Sequence, residues 1–317
     1  MVLSGETLSS ALREPNVADQ SDAPDWLAIV PGGLAVATLR EWVMQQPVPV
    51  IGVCCSEPHL FDLTAEDEAG LEQITAHIDA NPGASAVLVQ VLRSTEGLPV
   101  IDALAVESLA YATLQAGAEY LRWLDTRSEG KPLGDVDAVR VSRSGTLLEV
   151  CLDTPDRRNA LSVPMRDGLT EAFKLAAMDA SISHVQVRGN GPAFCAGGDL
   201  TEFGVVDDVS RAHEIRQLRM PARYLALCAE KTTFSVHGAC IGAGIELPAF
   251  AGRVVAAKDT VFRLPEVAMG LVPGAGGCVS IPRRIGRQRA AWMAISGAEV
   301  NAELALAWGL VDEVTDG

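Results

Sequence analysis

Two acids, Glu246 and Glu266, each follow a turn-forming stretch, Gly242-Ala243-Gly244 in one case and Leu264-Pro265 in the other, and a further glycine turn, Gly197-Gly198-Asp199, lies upstream. Two carboxyls can take a proton from one atom and give a proton to another. Small residues at turns let backbone N–H groups approach a ligand closely. The chemistry that needs both is enolate chemistry. A proton leaves the carbon beside a carbonyl, or water adds across a conjugated double bond, and negative charge collects on the carbonyl oxygen. Amides at Gly198 and Ala243 would meet that oxygen, and losing one such donor typically costs about 3 to 4 kcal/mol. A helix starting near Gly244 would aim its unpaired N–H groups at the Ala243 position. The same glycines also suit a plain strand-to-helix turn. Glu266 after Pro265 also fits a solvated acid at a helix start. Glu246, between Ile245 and Leu247 and near Pro248, reads instead as buried, and a buried acid needs a reason. Two carboxyls in one small site resist joint ionisation, so one is expected to keep its proton near neutral pH, the pair titrating as a unit.

Five short runs occur in one order: Arg158-Asn159-Ala160-Leu161, Ala193-Phe194-Cys195-Ala196-Gly197-Gly198-Asp199-Leu200, Ile241-Gly242-Ala243-Gly244-Ile245-Glu246-Leu247, Phe262-Arg263-Leu264-Pro265-Glu266, and Gly270-Leu271-Val272-Pro273-Gly274-Ala275-Gly276-Gly277. With Ala307-Trp308-Gly309-Leu310-Val311-Asp312-Glu313-Val314 closing the series, the chain from about residue 138 onward resembles the crotonase, or enoyl-CoA hydratase/isomerase, superfamily. The resemblance implies oxyanion donors at Gly198 and Ala243, catalytic carboxylates at Glu246 and Glu266, and backbone that helps hold the reacting water at Gly274. Coenzyme A would be part of the substrate, with no separate cofactor; its phosphates need a local cationic patch, for which Arg157 and Arg158 are the candidates, and Ala160, Ala196, Asp199 and Leu200 in the matching runs are expected to contact it. Ala243 stands where glycine is more usual in this pattern; the N–H survives while the room beside it shrinks.

Both glutamates being present favours hydration of a 2-enoyl-CoA thioester, with Glu246 handling water and Glu266 exchanging the α-proton. Isomerisation, hydrolysis within the same fold, and a silent scaffold remain as alternatives. Arg157 and Arg158 also fit solvated loop arginines. Met269, Leu271 and Val272 suit either the acyl pocket or core packing.

A nucleotide turn of the type G-x-G-x-x-G begins at Gly242 and Gly244, and Glu266 lies roughly 20 residues on, where a ribose-binding acid is expected. Leu247 occupies the third position, which calls for Gly or Ala, and this argues against a Rossmann site. The seven cysteines, Cys54 and Cys55 adjacent and the rest scattered, have no metal-ligand spacing. Cys195, lacking a histidine placed to activate it, reads as a small buried apolar residue. The net charge of −16 argues against nucleic acid or an anionic membrane surface as partner. No run reaches the roughly 20 apolar residues of a membrane span. Met1 to Pro15 lacks the apolar centre of a secretory signal, so a cytoplasmic protein with reduced thiols is expected.

Positioning such a site calls for strand and helix in alternation. Strands are expected at Leu147–Leu152, His184–Arg188, Thr233–Val236 and Arg253–Ala256. Helices are expected at Val163–Met178, capped by Ser162 with Met165, Leu169 and Phe173 on one face, at Glu214–Cys228 and at Arg287–Ser296. This is an α/β class with largely parallel strands. The resemblance specifies a crotonase-like spiral of ββα units over residues 135–317, assembled as a homotrimer or a dimer of trimers. Residues 1–134 form an additional N-terminal α/β region, polar up to about residue 24. Strands are expected there at Val48–Cys54 and Ala86–Leu92, helices at Ala65–Ala80 and Ile101–Arg127, and a linker at Gly130-Lys131-Pro132-Leu133-Gly134. A strand is expected at Trp308–Val311, and family members commonly continue past it with helices that cover the acyl pocket. The stretch from Glu107 to Leu124 resembles such a segment moved to the front, which would lay the N-terminal region over the pocket. An independent appended domain is the other reading.

Overall fold

A computed structural model describes residues 1–3, 24–30, 36–127, 130, 131, 133, 134 and 136–316. The polar stretch around Asn16 to Ser21 and Pro132 of the expected linker lie outside the described residues.

The C-terminal part is built on a six-stranded sheet, in the spatial order Glu313–Thr315, Arg253–Ala257, Thr232–Val236, His184–Gly189, Leu147–Leu152, Val139–Ser144. Only the last pair is antiparallel, folded at a tight turn, and every other neighbour runs parallel. Parallel strands need crossovers: helix Val163–Met178 lies on the first, from Leu147–Leu152 to His184–Gly189, and helices Val209–Arg219 and Ala222–Leu227 on the second, to Thr232–Val236. Ser162 caps the first of these through the Met165 amide, and Met165, Leu169 and Phe173 are buried as their spacing requires. A three-stranded sheet, Val300–Asn301, Val261–Arg263 and Ala239–Ile241, stands beside the main one. Each return of the chain thus lays one strand in the large sheet, one extended segment in the small one and a helix outside, a spiral of ββα units.

Several expected elements differ in extent or type. The Glu214–Cys228 helix is two, because Pro221 lacks the N–H that a continuous helix would use. The Ile101–Arg127 helix is also two, Val100–Gln115 and Ala118–Asp125, parted at Gly117. Trp308 ends a helix, Ala302–Trp308, and the strand starts only at Glu313. The Ala86–Leu92 strand is wrong: this run lies inside helix Pro82–Thr95. Its β-branched residues misled, while the buried positions Ala84, Ser85, Leu88, Val89, Val91, Leu92 and Thr95 follow helical periodicity.

The N-terminal region holds a four-stranded parallel sheet of Val2–Leu3, Leu27–Ile29, Val50–Val53 and Leu63–Ala65. One face packs with helix Val36–Gln45 into a small cluster containing Leu39, Trp42 and Phe61. Its other face joins helices Glu68–Ala80 and Pro82–Thr95 and runs without a break into the core of the C-terminal part; Ile51, Leu63, Leu88 and Leu92 share one cluster with Cys278, Ile281 and Ile285 of helix Gly277–Ile285. A buried charge cluster pins the junction. Asp62 accepts from Arg93 on one side and from Arg287 on the other, and all three side chains are at most 5% exposed.

Candidate active site

Register brings the site together. Ala239–Ile241 and Val261–Arg263 pair in parallel with Ile241 opposite Arg263, and the Gly242 amide donates to the Arg263 carbonyl at 2.9 Å. The segments that follow, Gly242–Glu246 and Leu264–Glu266, therefore leave the small sheet at the same end. A parallel bridge between Cys195 and Cys240 and another between Leu161 and Gly198 bring the 196–199 loop to that end as well. Gly197 and Gly242 turn the chain at φ 95° and 50°, backbone open to glycine and strained for other residues.

The two expected donors meet at one cleft of about 190 Å³, whose lining includes Gly198, Ala243, Glu246, Glu266 and Gly274. Among the described residues neither the Gly198 nor the Ala243 amide has an intramolecular acceptor. Bonds from Leu161 to the Gly197 carbonyl and from Asp199 to the Leu161 carbonyl leave the Gly198 N–H free between them. Ala243 is the first residue of the short helix Ala243–Glu246, where an N–H has no helical partner.

Both acids face the turn between them. A Cβ on Gly242 would collide with Glu266 Oε1 and lie 3.6 Å from Glu246 Oε1, so the two carboxyls are close neighbours. Glu246 is 2% exposed, and its Oε2 accepts from the Ala275 amide at 2.7 Å and the Gly277 amide at 2.9 Å. Oε1 has no hydrogen-bond partner among the described residues. Glu266 Oε2 is buried without a hydrogen-bond partner among the described residues, which sets aside the solvated helix-start reading. Burial raises the Glu246 pKa to about 7 against the opposing pull of the two amides. Glu266 is pushed well above the ordinary carboxylate range, by burial first and then by the charge of Glu246.

A third acid escaped the sequence reading. Glu107, on helix Val100–Gln115, is 2% exposed and accepts from the Gly276 amide at 2.8 Å and the Cys278 amide at 2.9 Å. The four amides from 275 to 278, opening helix Gly277–Ile285, thus go alternately to Glu246 and Glu107. Burial and the nearby Glu246 charge raise the Glu107 pKa too. Its only sequence signal was an acid set among Leu104, Ala105, Val106, Leu109 and Ala110. Tyr111 and Gln115 of the same helix line the cleft, and Gly274 packs so tightly on the Tyr111 ring that a Cβ there would overlap it.

Of the residues expected at coenzyme A, Asp199 lines the cleft; its Oδ1 caps the following turn and its Oδ2 is buried and unpaired among the described residues. Arg157, Arg158, Ala160, Ala196 and Leu200 lie in the flanking loops, outside the cleft lining. The Ala196 amide ties the two loops by donating to the Arg158 carbonyl at 3.0 Å, and both arginines are exposed. Leu271 and Val272 are fully buried core residues. Cys195 is buried, its thiol pushed up to about 12, mainly by desolvation, which leaves it inert as a nucleophile. Among the described residues no group of three or more His, Cys, Asp or Glu side chains could hold a metal ion, and no helix is long and apolar enough to cross a membrane.

The family model for enoyl-CoA hydratase/isomerase matches residues 142–316. The chain belongs to the enoyl-CoA hydratase/isomerase family. It is similar to the 2,3-dehydroadipyl-CoA hydratase of Escherichia coli K12, 36% identical over 174 residues that cover 55% of this chain and 68% of that protein. An enoyl-CoA isomerase/hydratase of Mycosarcoma maydis is 33% identical over 176 residues, 52% of this chain and 64% of its own length. Among solved structures, an enoyl-CoA hydratase from Thermoplasma volcanium superposes with a TM-score of 0.52 at 31% identity, covering 57% of this chain and 73% of that one. The shared part is the crotonase spiral, and the match spans about two thirds of these relatives.

Proposed function

We propose that this family member hydrates a 2-enoyl-CoA thioester to a 3-hydroxyacyl-CoA, as a lyase. The observation that carries the reading is the convergence of Glu246 and Glu266 on the Gly242 turn, in the same cleft as the two unpaired amides of Gly198 and Ala243. Glu246, titrating near 7, is ionised in an appreciable fraction at neutral pH and takes a proton from water as the oxygen bonds to the β-carbon. The π electrons move to the thioester oxygen, which the two amides receive. Glu266, with its raised pKa, holds a proton and delivers it to the α-carbon. The exchanged protons return through water, and the pair is reset. Gly274, at the cleft wall next to the amides that hold Glu246, is where backbone would support the water.

A second reading is favoured by one feature: both amides on Glu246 Oε2 tether that acid, whereas Glu266 Oε2 has no tether among the described residues. A single mobile acid suits double-bond isomerisation. The test is incubation with crotonyl-CoA, read by the loss of enoyl-thioester absorbance and by a mass gain of one water. Hydration is expected; turnover of a 3-enoyl thioester with no water gain on the 2-enoyl ester would establish the isomerase reading instead.

In this reading the N-terminal region, residues 1–134, covers the acyl end of the cleft through Tyr111 and Gln115 and takes the part of the pocket-covering helices. The Arg157–Ala160 and Ala196–Leu200 loops flank the coenzyme A entrance. We propose a homotrimer or a dimer of trimers in the cytoplasm; exposed Val163, Val205, Val206 and Leu218 line one groove suited to self-association.

A further inference from the structure

Arg216 stands out among the cleft residues because, among the described residues, nothing neutralises it at contact distance. It projects from helix Val209–Arg219 into the same cleft as Gly198, Ala243, Glu246 and Glu266. Its guanidinium lies over the Tyr111 ring, 4.5 Å from the centroid. Nη1 donates to Gln115 Oε1 at 2.9 Å, Nε to Ser108 Oγ at 3.2 Å, and Nη2 reaches the Ser108 carbonyl at 3.5 Å. All three acceptors are neutral. An arginine has five N–H donors in a planar fork, so two remain. Among the described residues no carboxylate forms an ion pair with it, whereas the other cleft arginine, Arg166, pairs with Asp167, and Arg93 and Arg287 share Asp62. Its acidic neighbour Glu107 has both oxygens engaged by the Gly276 and Cys278 amides.

A guanidinium drawn out of water and left without an anion is costly. Desolvation here holds its pKa below the ordinary arginine value, with Tyr111 and Glu107 acting in the opposite direction. In a chain with 41 acidic and 25 basic residues a counter-ion was available, yet the position facing the cleft has none. Arg216 also borders a small void behind the cleft, shared with Ile101, Leu104 and Met220. The cation therefore borders both the cleft and this void, whose lining also includes Glu107, Ser108, Gln217 and Arg223.

We propose that Arg216 is a specificity-determining residue that receives a carboxylate carried at the far end of the acyl chain, so that the preferred ligands are CoA thioesters of dicarboxylic acids. This deepens the hydratase reading and rests on it for the reaction, while the recognition itself needs no turnover. A carboxylate meets the guanidinium fork through two charge-assisted bonds, which also fix the direction of the chain in the cleft. The CoA phosphates are the other anions at hand, and the experiment separates the two sources.

Calorimetric binding of two saturated, unreactive esters of equal chain length, adipyl-CoA and hexanoyl-CoA, is measured on the full chain and on Arg216→Met. The expected result is at least a tenfold preference for adipyl-CoA, collapsing to near unity in Arg216→Met. A preference for hexanoyl-CoA in the unmodified protein overturns the proposal. So does an equal weakening of both esters in the variant with the ratio preserved, which would assign Arg216 to the CoA phosphates. Should Arg216→Met not fold, Arg216→Lys, which keeps a charge but not the fork, is expected to lower the ratio several-fold; an unchanged ratio contradicts the proposal. Crotonyl-CoA turnover is scored separately, so failure of the hydratase reading leaves this test intact.

Discussion

At the residue scale, the site is a problem in where protons rest. Glu246 moves from an ordinary value of 4.5 to about 7 because it is buried, and burial pushes Glu266 and Glu107 well up in the same direction. The folded state therefore keeps a proton that the unfolded chain has already released. Between pH 4.5 and about 7 the Glu246 shift makes stability fall as pH rises, with a slope approaching about 1.4 kcal/mol per pH unit from that group alone. Glu246→Gln should flatten this slope, which urea midpoints across the interval will show; an unchanged slope contradicts the burial account. For activity the signs are opposite for the two partners. Under the proposed hydration, an ionised Glu246 and a protonated Glu266 would give a bell-shaped kcat/KM profile with its acid limb near pH 7. Glu246, Glu266, Gly198 and Ala243, which line one cleft, could be singled out in the sequence because glycine turns and an acid between apolar residues leave local marks. Glu107 left almost none, since its partners lie far along the chain and helix Val100–Gln115 is apolar nearly all round.

At the scale of elements, the small sheet does the positioning. Parallel register of Ile241 against Arg263 sets the two acids side by side, and the Cys195–Cys240 bridge sets the donor loop beside them. Such non-local pairing cannot be read from periodicity, which is why the sequence supplied the parts of the site and not its geometry. Local patterns succeeded where one face decides, as in Val163–Met178, and failed where burial overrode propensity, as in Pro82–Thr95. The contact between Gly274 and Tyr111 joins the spiral to the N-terminal helix at the cleft wall. Gly274→Ala must push the ring aside, together with the guanidinium stacked on it. The expected cost is about 1 to 3 kcal/mol of stability, with KM raised for acyl-CoA ligands. A variant with unchanged stability and KM would show that this contact does not shape the cleft.

At the scale of the molecule, the N-terminal region and the spiral share one core, and the described residues offer no seam at which to part them. The Arg93–Asp62–Arg287 cluster crosses the junction with almost no exposure. Breaking such a buried group by removing one charge leaves the others uncompensated. Asp62→Asn should lower stability by about 3 to 5 kcal/mol, and both regions should melt together in one transition; two separate transitions would mean independent domains. The resemblance already covered the spiral, whose motifs are strung along a single stretch of chain. The core shared with the N-terminal region leaves little mark in the sequence, because it is made by side chains from distant parts of the chain.

The central claim is that two acids act on one water and one α-carbon. Steady-state hydration of crotonyl-CoA by Glu246→Gln and Glu266→Gln, measured separately on folded protein, tests it most directly. The account predicts that each variant loses about 100-fold or more in kcat, with acyl-CoA binding retained. Full activity in Glu246→Gln beside an inactive Glu266→Gln would contradict it and leave a one-base isomerase.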